Sequence, residues 1–378
     1  MVIDALSSYS GGARTYLRAM LPRLAQLHGV RLSVICRDDQ REGFGLVTSP
    51  TLTWLPVPAF VRPLVARLSY SFGVVPALAA RHHGDVLFCP TDHSPLIAPC
   101  PTVLMIRNPT PYVDDMDTVV SPTRKVREAA MRAVTMASAW RSQRIILVSQ
   151  AALAATAAKI PLPHDRVRVI HHGRDSRFAP PATGSIRERD LLLAVGSIYA
   201  FKNYALLLDA MAALRARHGL MPRLKIAGAP FDAPHAAWLV QRTQQLGLTS
   251  QIEWLGEVPH TQLIDWYQRA TVFVMPSRLE TFGHPYIEAM ATGTPSLVGD
   301  ISCAREMCGD AVWYAPPHDA EVFAAQLARL LNDPQARESL AMRGPPRAAE
   351  FSWDRCAEET AAVLNEARRP DAIRGRAT

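Results

Sequence analysis

Glu280 and Glu288 enclose seven residues, Thr281-Phe-Gly-His-Pro-Tyr-Ile287. A short apolar run, Val272 to Met275, precedes them, and Pro285 follows Gly283. The stretch predicts a buried strand, a loop and a helix opened by Pro285, because proline at the first helical position loses a donor that would be unpaired there anyway. Gly283 lets the backbone approach a ligand. Amides at such a helix start, at the positive end of its dipole, attract phosphate. Carboxylates repel phosphate, so hydroxyl groups are the expected targets of Glu280 and Glu288. Together the residues suit a ligand carrying both sugar and phosphate. Two carboxylates roughly 5–9 Å apart could also serve a glycoside hydrolase as acid and base, but the phosphate-binding features speak against it.

The elements that must hold this stretch alternate. Val2–Ala5 reads as a strand, Gly11-Gly12 as a turn, and Arg14 to about His28 as an amphipathic helix. That is the phosphate-approach unit of a nucleotide-type sheet, with Gly11 and Gly12 at the ligand edge. The glycines do not match GxGxxG, and although Asp38-Asp39 follows the second strand, a nicotinamide oxidoreductase is not favoured. Further strands are expected at Leu32–Cys36, Thr53–Val57, Asp85–Cys89, Val103–Ile106, Arg144–Val148 and Arg166–Ile170. Helices between them argue a parallel sheet covered on both faces. The pattern stops around Ser176–Gly184, where Pro180 and Pro181 mark a linker, and then restarts at Leu191. The expected fold is α/β: two tandem Rossmann-like domains, residues 1–180 and 181–354, with ligands in an interdomain cleft beyond the strand ends.

A chain of 378 residues with 48% hydrophobic content is long enough for two such domains. No apolar run approaches the roughly 18 residues of a membrane helix, and no signal peptide opens the sequence, so a cytoplasmic protein is expected. The six cysteines are dispersed without metal-ligand spacing, as fits reduced, mostly buried thiols. Asp115-Met-Asp117 has DxD spacing but turn-like neighbours, so an exposed acidic loop is expected there; no metal and no cofactor is required. Residues 1–180 hold 21 Lys or Arg against 12 Asp or Glu, and the remainder 20 against 22. A basic first half admits an acidic partner, either a phosphorylated acceptor or an anionic membrane touched peripherally at its inner face. The basic helix expected over 121–144 offers such a surface, although a solvated face packed on the sheet is favoured there. No nucleic-acid partner is expected.

Beyond these readings the chain resembles the retaining glycosyltransferases of family four, which have the two-Rossmann-domain GT-B architecture. The resemblance spans nearly the whole chain and rests first on Glu280–Glu288 with its embedded Phe-Gly and Pro and the trailing Gly293-Thr-Pro295. Ala194-Val-Gly196-Ser-Ile-Tyr-Ala-Phe-Lys202-Asn203 is similar to the family's donor-diphosphate loop. Val148-Ser-Gln150 and His172–Phe178 resemble its interdomain landmarks, and Phe351-Ser-Trp353 resembles the start of a last helix (about 355–370) that crosses back to the first domain.

The resemblance implies transfer of a sugar, with its anomeric configuration retained, from a nucleoside-diphosphate sugar to a glycan, glycolipid or similar acceptor in polysaccharide or lipopolysaccharide biosynthesis. GDP-mannose is the first expectation for the donor, because of Lys202-Asn203, and UDP-sugars the next. Glu280 and Lys202 are the implied catalytic pair: Glu280 on the sugar hydroxyls, Lys202 on the leaving diphosphate. Glu288 would hold the ribose, the amides of Phe282, Gly283 and His284 would face sugar and diphosphate, and Gly11, Gly12, Gly196, Ser197 and Asn203 would complete the donor site. The family often has an arginine where this chain has Ser197 or Phe201, and a histidine where it has Arg107-Asn108. Arg107 and Asn108 are therefore candidate donor or acceptor contacts. The missing arginines leave an alternative open, a non-catalytic sugar-nucleotide-binding subunit or sensor.

Overall fold

The computed structural model describes residues 1–9, 11–45, 49–108, 122–182 and 187–368. The Asp115-Met-Asp117 reading lies outside them, as does the Thr183-Gly184 end of the expected linker. Two compact units result: residues up to Gly173 with those from Ser352 onward, and Arg174–Phe351.

In the first unit, seven strands run β1 (Val2–Asp4), β2 (Leu32–Arg37), β3 (Leu52–Val57), β4 (Leu87–Cys89), β5 (Thr102–Ile106), β6 (Arg144–Leu147) and β7 (Val167–Val169). They pair in parallel in the order β3-β2-β1-β4-β5-β6-β7. In the second unit, β8 (Leu191–Val195), β9 (Arg223–Ala227), β10 (Ile252–Gly256), β11 (Val272–Met275), β12 (Ser296–Gly299) and β13 (Trp313–Ala315) pair in parallel as β10-β9-β8-β11-β12-β13. Each sheet thus follows the 3-2-1-4-5-6 order of doubly wound nucleotide-binding folds, the first with one strand more. The α/β class expected from the alternation holds in both units. Near-continuous aliphatic strands such as Leu191–Val195 and Val272–Met275 are buried along their whole length, as a sheet covered on both faces requires. Five of the six cysteines are buried thiols and Cys100 is half-buried; none forms a disulfide.

The chain changes unit between Gly173 and Arg174, before the proline pair at 180–181 rather than at it. The reason is local packing. The Arg174 amide donates to the Phe351 carbonyl at 3.1 Å, and the fully buried Phe178 ring packs edge-on against His260 and Tyr267. Punctuation by proline marks where regular structure stops, whereas core contacts decide membership.

The last helix, Trp353–Arg368, belongs to the first unit. Ser352 caps it, accepting from the Asp354 and Arg355 amides. Arg23–Asp354 at 2.6 Å, Arg144–Glu366 at 3.0 Å and Arg368–Asp85 at 2.7 Å tie it to the helix Gly11–Gln26, to β6 and to the loop before β4. Such pairs at a surface contribute little singly. The stronger anchor is aromatic: buried Trp353 lies 5.4 Å from the His172 ring and 6.1 Å from Tyr16. A Cβ at Gly173 would overlap the Trp353 backbone. Gly173→Ala is therefore expected to destabilise the first unit by about 1–3 kcal/mol through overpacking, read as a lowered midpoint in thermal unfolding; an unchanged midpoint would contradict this packing.

Candidate functional site

Strand order places the site of the second unit. β8 lies between β9 and β11, so its crossovers leave in opposite directions and open a crevice beyond their carboxyl ends. The loops after β8 and β11 are those holding Lys202 and Glu280. The Lys202 Nζ donates to Glu280 Oε1 at 2.6 Å, and each side chain is only 10% exposed. Ser277, fully buried, donates to the same oxygen at 3.0 Å.

Backbone geometry makes that pairing reachable. Gly196 has φ +152°, and a Cβ on it would stand 3.1 Å from Lys202 Cε and 3.2 Å from Nζ. The lysine stem thus lies across a bare backbone. Tyr204 fixes the loop from below, its hydroxyl donating to the Gly196 carbonyl at 2.7 Å. Asn203 adopts the left-handed conformation at φ 61°, and its amide nitrogen donates to the Pro276 and Pro317 carbonyls at 3.0 and 2.7 Å. The amide nitrogen thereby joins the loops after β8, β11 and β13. Ser197 sits half-buried beside Gly196.

The helix after Glu280 runs His284–Ala291, with Gly283 as its N-cap and Pro285 one residue inside. Gly283 is required by its φ of +77° and by the Tyr286 ring, which a Cβ would strike. Internal packing by itself therefore demands this glycine. Phe282 is buried with its ring 5.6 Å from Phe351 and 4.9 Å from His284. Burial pushes the His284 imidazole down to about 4, against a partly opposing effect of Glu288.

Glu288 stands one turn into the helix and accepts from the Tyr267 hydroxyl at 3.0 Å. Burial, reinforced by Glu288, raises the Tyr267 phenol well above its ordinary value, so it remains a donor. His260 lies 3.6 Å from Glu288 Oε1 through Nε2 and 3.6 Å from Asp175 through Nδ1. Arg177 pairs with Asp175 at 2.6 Å. This chain of Arg177, Asp175, His260, Glu288 and Tyr267 orients the second glutamate, and periodicity gave no sign of His260 or Tyr267. Arg187 is another residue that sequence patterns passed over. Its guanidinium donates to the carbonyls of Tyr267, Gln268, Ala270, Thr292 and Gly293, fastening the far end of the Glu288 helix to the end of the helix His260–Arg269.

The remaining expected residues lie in the first unit. The helix there begins at Gly11, with φ +53°, so Gly12 is within its first turn. The Arg107 and Asn108 amides both donate to Asp92 Oδ1, at 2.8 and 2.9 Å, and the Arg107 guanidinium donates to Ser8 at 2.8 Å. Burial lowers that guanidinium to about 10, leaving it charged at neutral pH. Among the described residues no group of three or more His, Cys, Asp or Glu is placed to hold a metal ion.

Two measurements check this geometry. Breaking a buried ion pair from one side leaves an uncompensated charge, costing about 3–5 kcal/mol. Lys202→Met and Glu280→Gln should each lower the unfolding free energy on that scale, while the double variant recovers much of the loss; additive losses would refute the coupling. For His284, the unfolded imidazole titrates near 6.5 and the folded one near 4. The unfolded chain binds more protons between those values, so stability falls as pH drops through that window. His284→Gln should flatten this dependence in urea unfolding between pH 6.5 and 4; a variant as acid-sensitive as the parent would contradict it.

Comparison with known proteins follows the same division of the chain. Residues 10–178 match the model described as Glycosyltransferase Family 4, and residues 175–346 the one described as Glycosyl transferases group 1. D-inositol 3-phosphate glycosyltransferase of Jonesia denitrificans is 32% identical over 224 residues, 54% of this chain and 52% of that protein. O-antigen chain mannosyltransferase B of Escherichia coli is 33% identical over 169 residues, 44% of each chain. The chain thus spans about half the length of the curated relatives it matches. Among solved structures, Anabaena HepE in complex with UDP and glucose aligns over 96% of this chain and 98% of its own, with TM-score 0.76 and 17% identity. WaaG, a glycosyltransferase involved in lipopolysaccharide biosynthesis, aligns over 96% and 99% with TM-score 0.73 and 16% identity. At those identities the structural likeness is one of fold. One glycosyltransferase model thus matches each half of the chain, and the doubly wound pair of sheets has the GT-B fold.

Proposed function

We propose that this chain transfers a sugar from a nucleoside-diphosphate sugar to a hydroxyl of a glycan or lipid-linked acceptor, retaining the anomeric configuration. The observation that carries the reading is the buried Lys202–Glu280 pair at the switch point of the second sheet. A lone ammonium would suit many anions; an ammonium already matched to a carboxylate suits a ligand that engages both. On this reading the donor diphosphate draws Lys202 to itself, and the freed Glu280 accepts from hydroxyls of the sugar. Breaking the glycosyl–phosphate bond builds negative charge on the phosphate and positive charge on the ring, and the two side chains stabilise those opposite charges. Glu288, oriented by Tyr267 and His260, takes the ribose hydroxyls.

No side chain is assigned as a nucleophile, so the leaving phosphate takes the acceptor's proton as the new bond forms on the same face. GDP-mannose and UDP-sugars are the proposed donors. A mannosyltransferase among the relatives supports the first, and solved neighbours in complex with UDP or UDP-glucose support the second. Lys202 supplies the cation opposite the diphosphate, and we infer that transfer needs no metal. The acceptor pathway proposed is surface polysaccharide or lipopolysaccharide assembly at the inner face of a membrane. Exposed Val126 and Trp140 on the basic helix Pro122–Arg141 support peripheral contact there.

A thermal-shift screen over nucleoside diphosphates and sugar nucleotides identifies the donor, because a ligand of the folded state stabilises by mass action. Glu280→Gln and Lys202→Met should then cut transfer from that donor by roughly 10²–10³, in EDTA as in its absence, while Glu288→Gln weakens nucleotide binding. Transfer by both of the first two variants at the parent rate would remove the assignment. Tight nucleotide-sugar binding with no turnover on any acceptor would instead support a sugar-nucleotide sensor.

A further inference from the structure

The first unit holds a cavity of about 330 Å³ beyond the carboxyl ends of β1, β2 and β3. Its wall carries Arg14, Arg37, Arg62 and Arg67 against one carboxylate, Asp39, with Tyr9 at its edge. Asp39 is already engaged twice. Arg37 Nε donates to one oxygen at 2.9 Å and Arg62 Nη2 to the other at 2.7 Å, holding the carboxyl below its ordinary range.

Among the described residues Arg67 has no such counterion. It is 8% exposed, on the helix Leu64–Gly73, with its guanidinium 4.6 Å over the Tyr9 ring. Among the described residues its buried Nε has no hydrogen-bond partner, nor has the buried Nη1 of Arg37 in the same wall. Burying a guanidinium without an acceptor is costly, because water is lost and nothing replaces it. Two of the arginines that line this cavity therefore each keep a buried donor without an acceptor among the described residues. The cationic surplus matches a dianionic phosphoryl group better than a singly charged carboxylate, and arginine forks suit its several oxygens. The volume lies near the lower end for small-molecule sites, room for a phosphoryl group carrying one small sugar or polyol.

We propose that this cavity is an anion subsite of the acceptor, in which Arg67 and Arg37 hold the phosphoryl group of a phosphorylated sugar or polyol. The word acceptor rests on the transfer reading above; the anion site itself does not.

The test is calorimetric titration of the full chain with inorganic phosphate, mannose 6-phosphate and inositol 1-phosphate, each with a saturating nucleoside diphosphate present to cover the donor site. At least one sugar or polyol phosphate should bind more tightly than inorganic phosphate. Arg67→Met, which keeps the apolar stem, should weaken it by about tenfold or more, as the loss of a charge-assisted hydrogen bond implies. Arg67→Lys should recover part of the loss. Arg62→Ala alters an exposed side chain, so it tests the cavity even where Arg67→Met fails to fold, and it should weaken the same ligand by a smaller factor. Inorganic phosphate binding as tightly as every organic phosphate, or both variants binding as the parent does, overturns the proposal. Failure of any nucleoside diphosphate to bind the parent chain removes the donor reading instead, and leaves the phosphate titration interpretable.

Discussion

One buried ion pair organises the second unit. Lys202 and Glu280 come from separate crossovers, and an ammonium and a carboxylate with so little water around them persist only if each meets the other. Their meeting imposes conditions on neighbours that have no charge. Gly196 must lack a side chain so that the lysine stem can lie on its backbone. Asn203 must take the left-handed turn that sends the chain into the next helix while its amide holds the loops after β11 and β13. Ser277 must supply the second hydrogen bond to Glu280.

The strand order makes those conditions compatible. With β8 flanked by β9 and β11, the two loops emerge side by side although 78 residues separate the charged groups. Each element is ordinary alone: aliphatic strands, a helix opened near a proline, glycines at positive φ. Their combination places a cation and an anion side by side beyond the carboxyl ends of β8 and β11. Glu288 is held differently, by a phenol and an imidazole, so the two glutamates of one motif sit in unlike surroundings.

The first unit repeats the sheet order with another chemistry at its strand ends. There arginines dominate, and the single carboxylate among them is already shared by two. The charge asymmetry of the sequence thus has a local expression: the surplus is partly concentrated in one cavity as well as spread over the surface. Arg67, buried on the face of Tyr9, is the clearest instance.

Read alone, the sequence determined that the chain alternates strands and helices, that the pattern occurs twice, and that Glu280, Glu288 and Lys202 stand out. Those properties are local or periodic: runs of aliphatic residues, glycine and proline at turns, a motif of fixed spacing. Where one unit ends was less legible, because Pro180-Pro181 advertises a break while Phe178 has already joined the second core. Only the tertiary structure decided that Lys202 bonds Glu280, that Asn203 braces loops, that Gly283 makes room for Tyr286, and that His260, Tyr267 and Arg187 support the Glu288 helix. Apart from the local Gly283–Tyr286 contact, each of these depends on contacts between residues distant in the chain. A parallel sheet creates such contacts by strand order, which no single segment encodes.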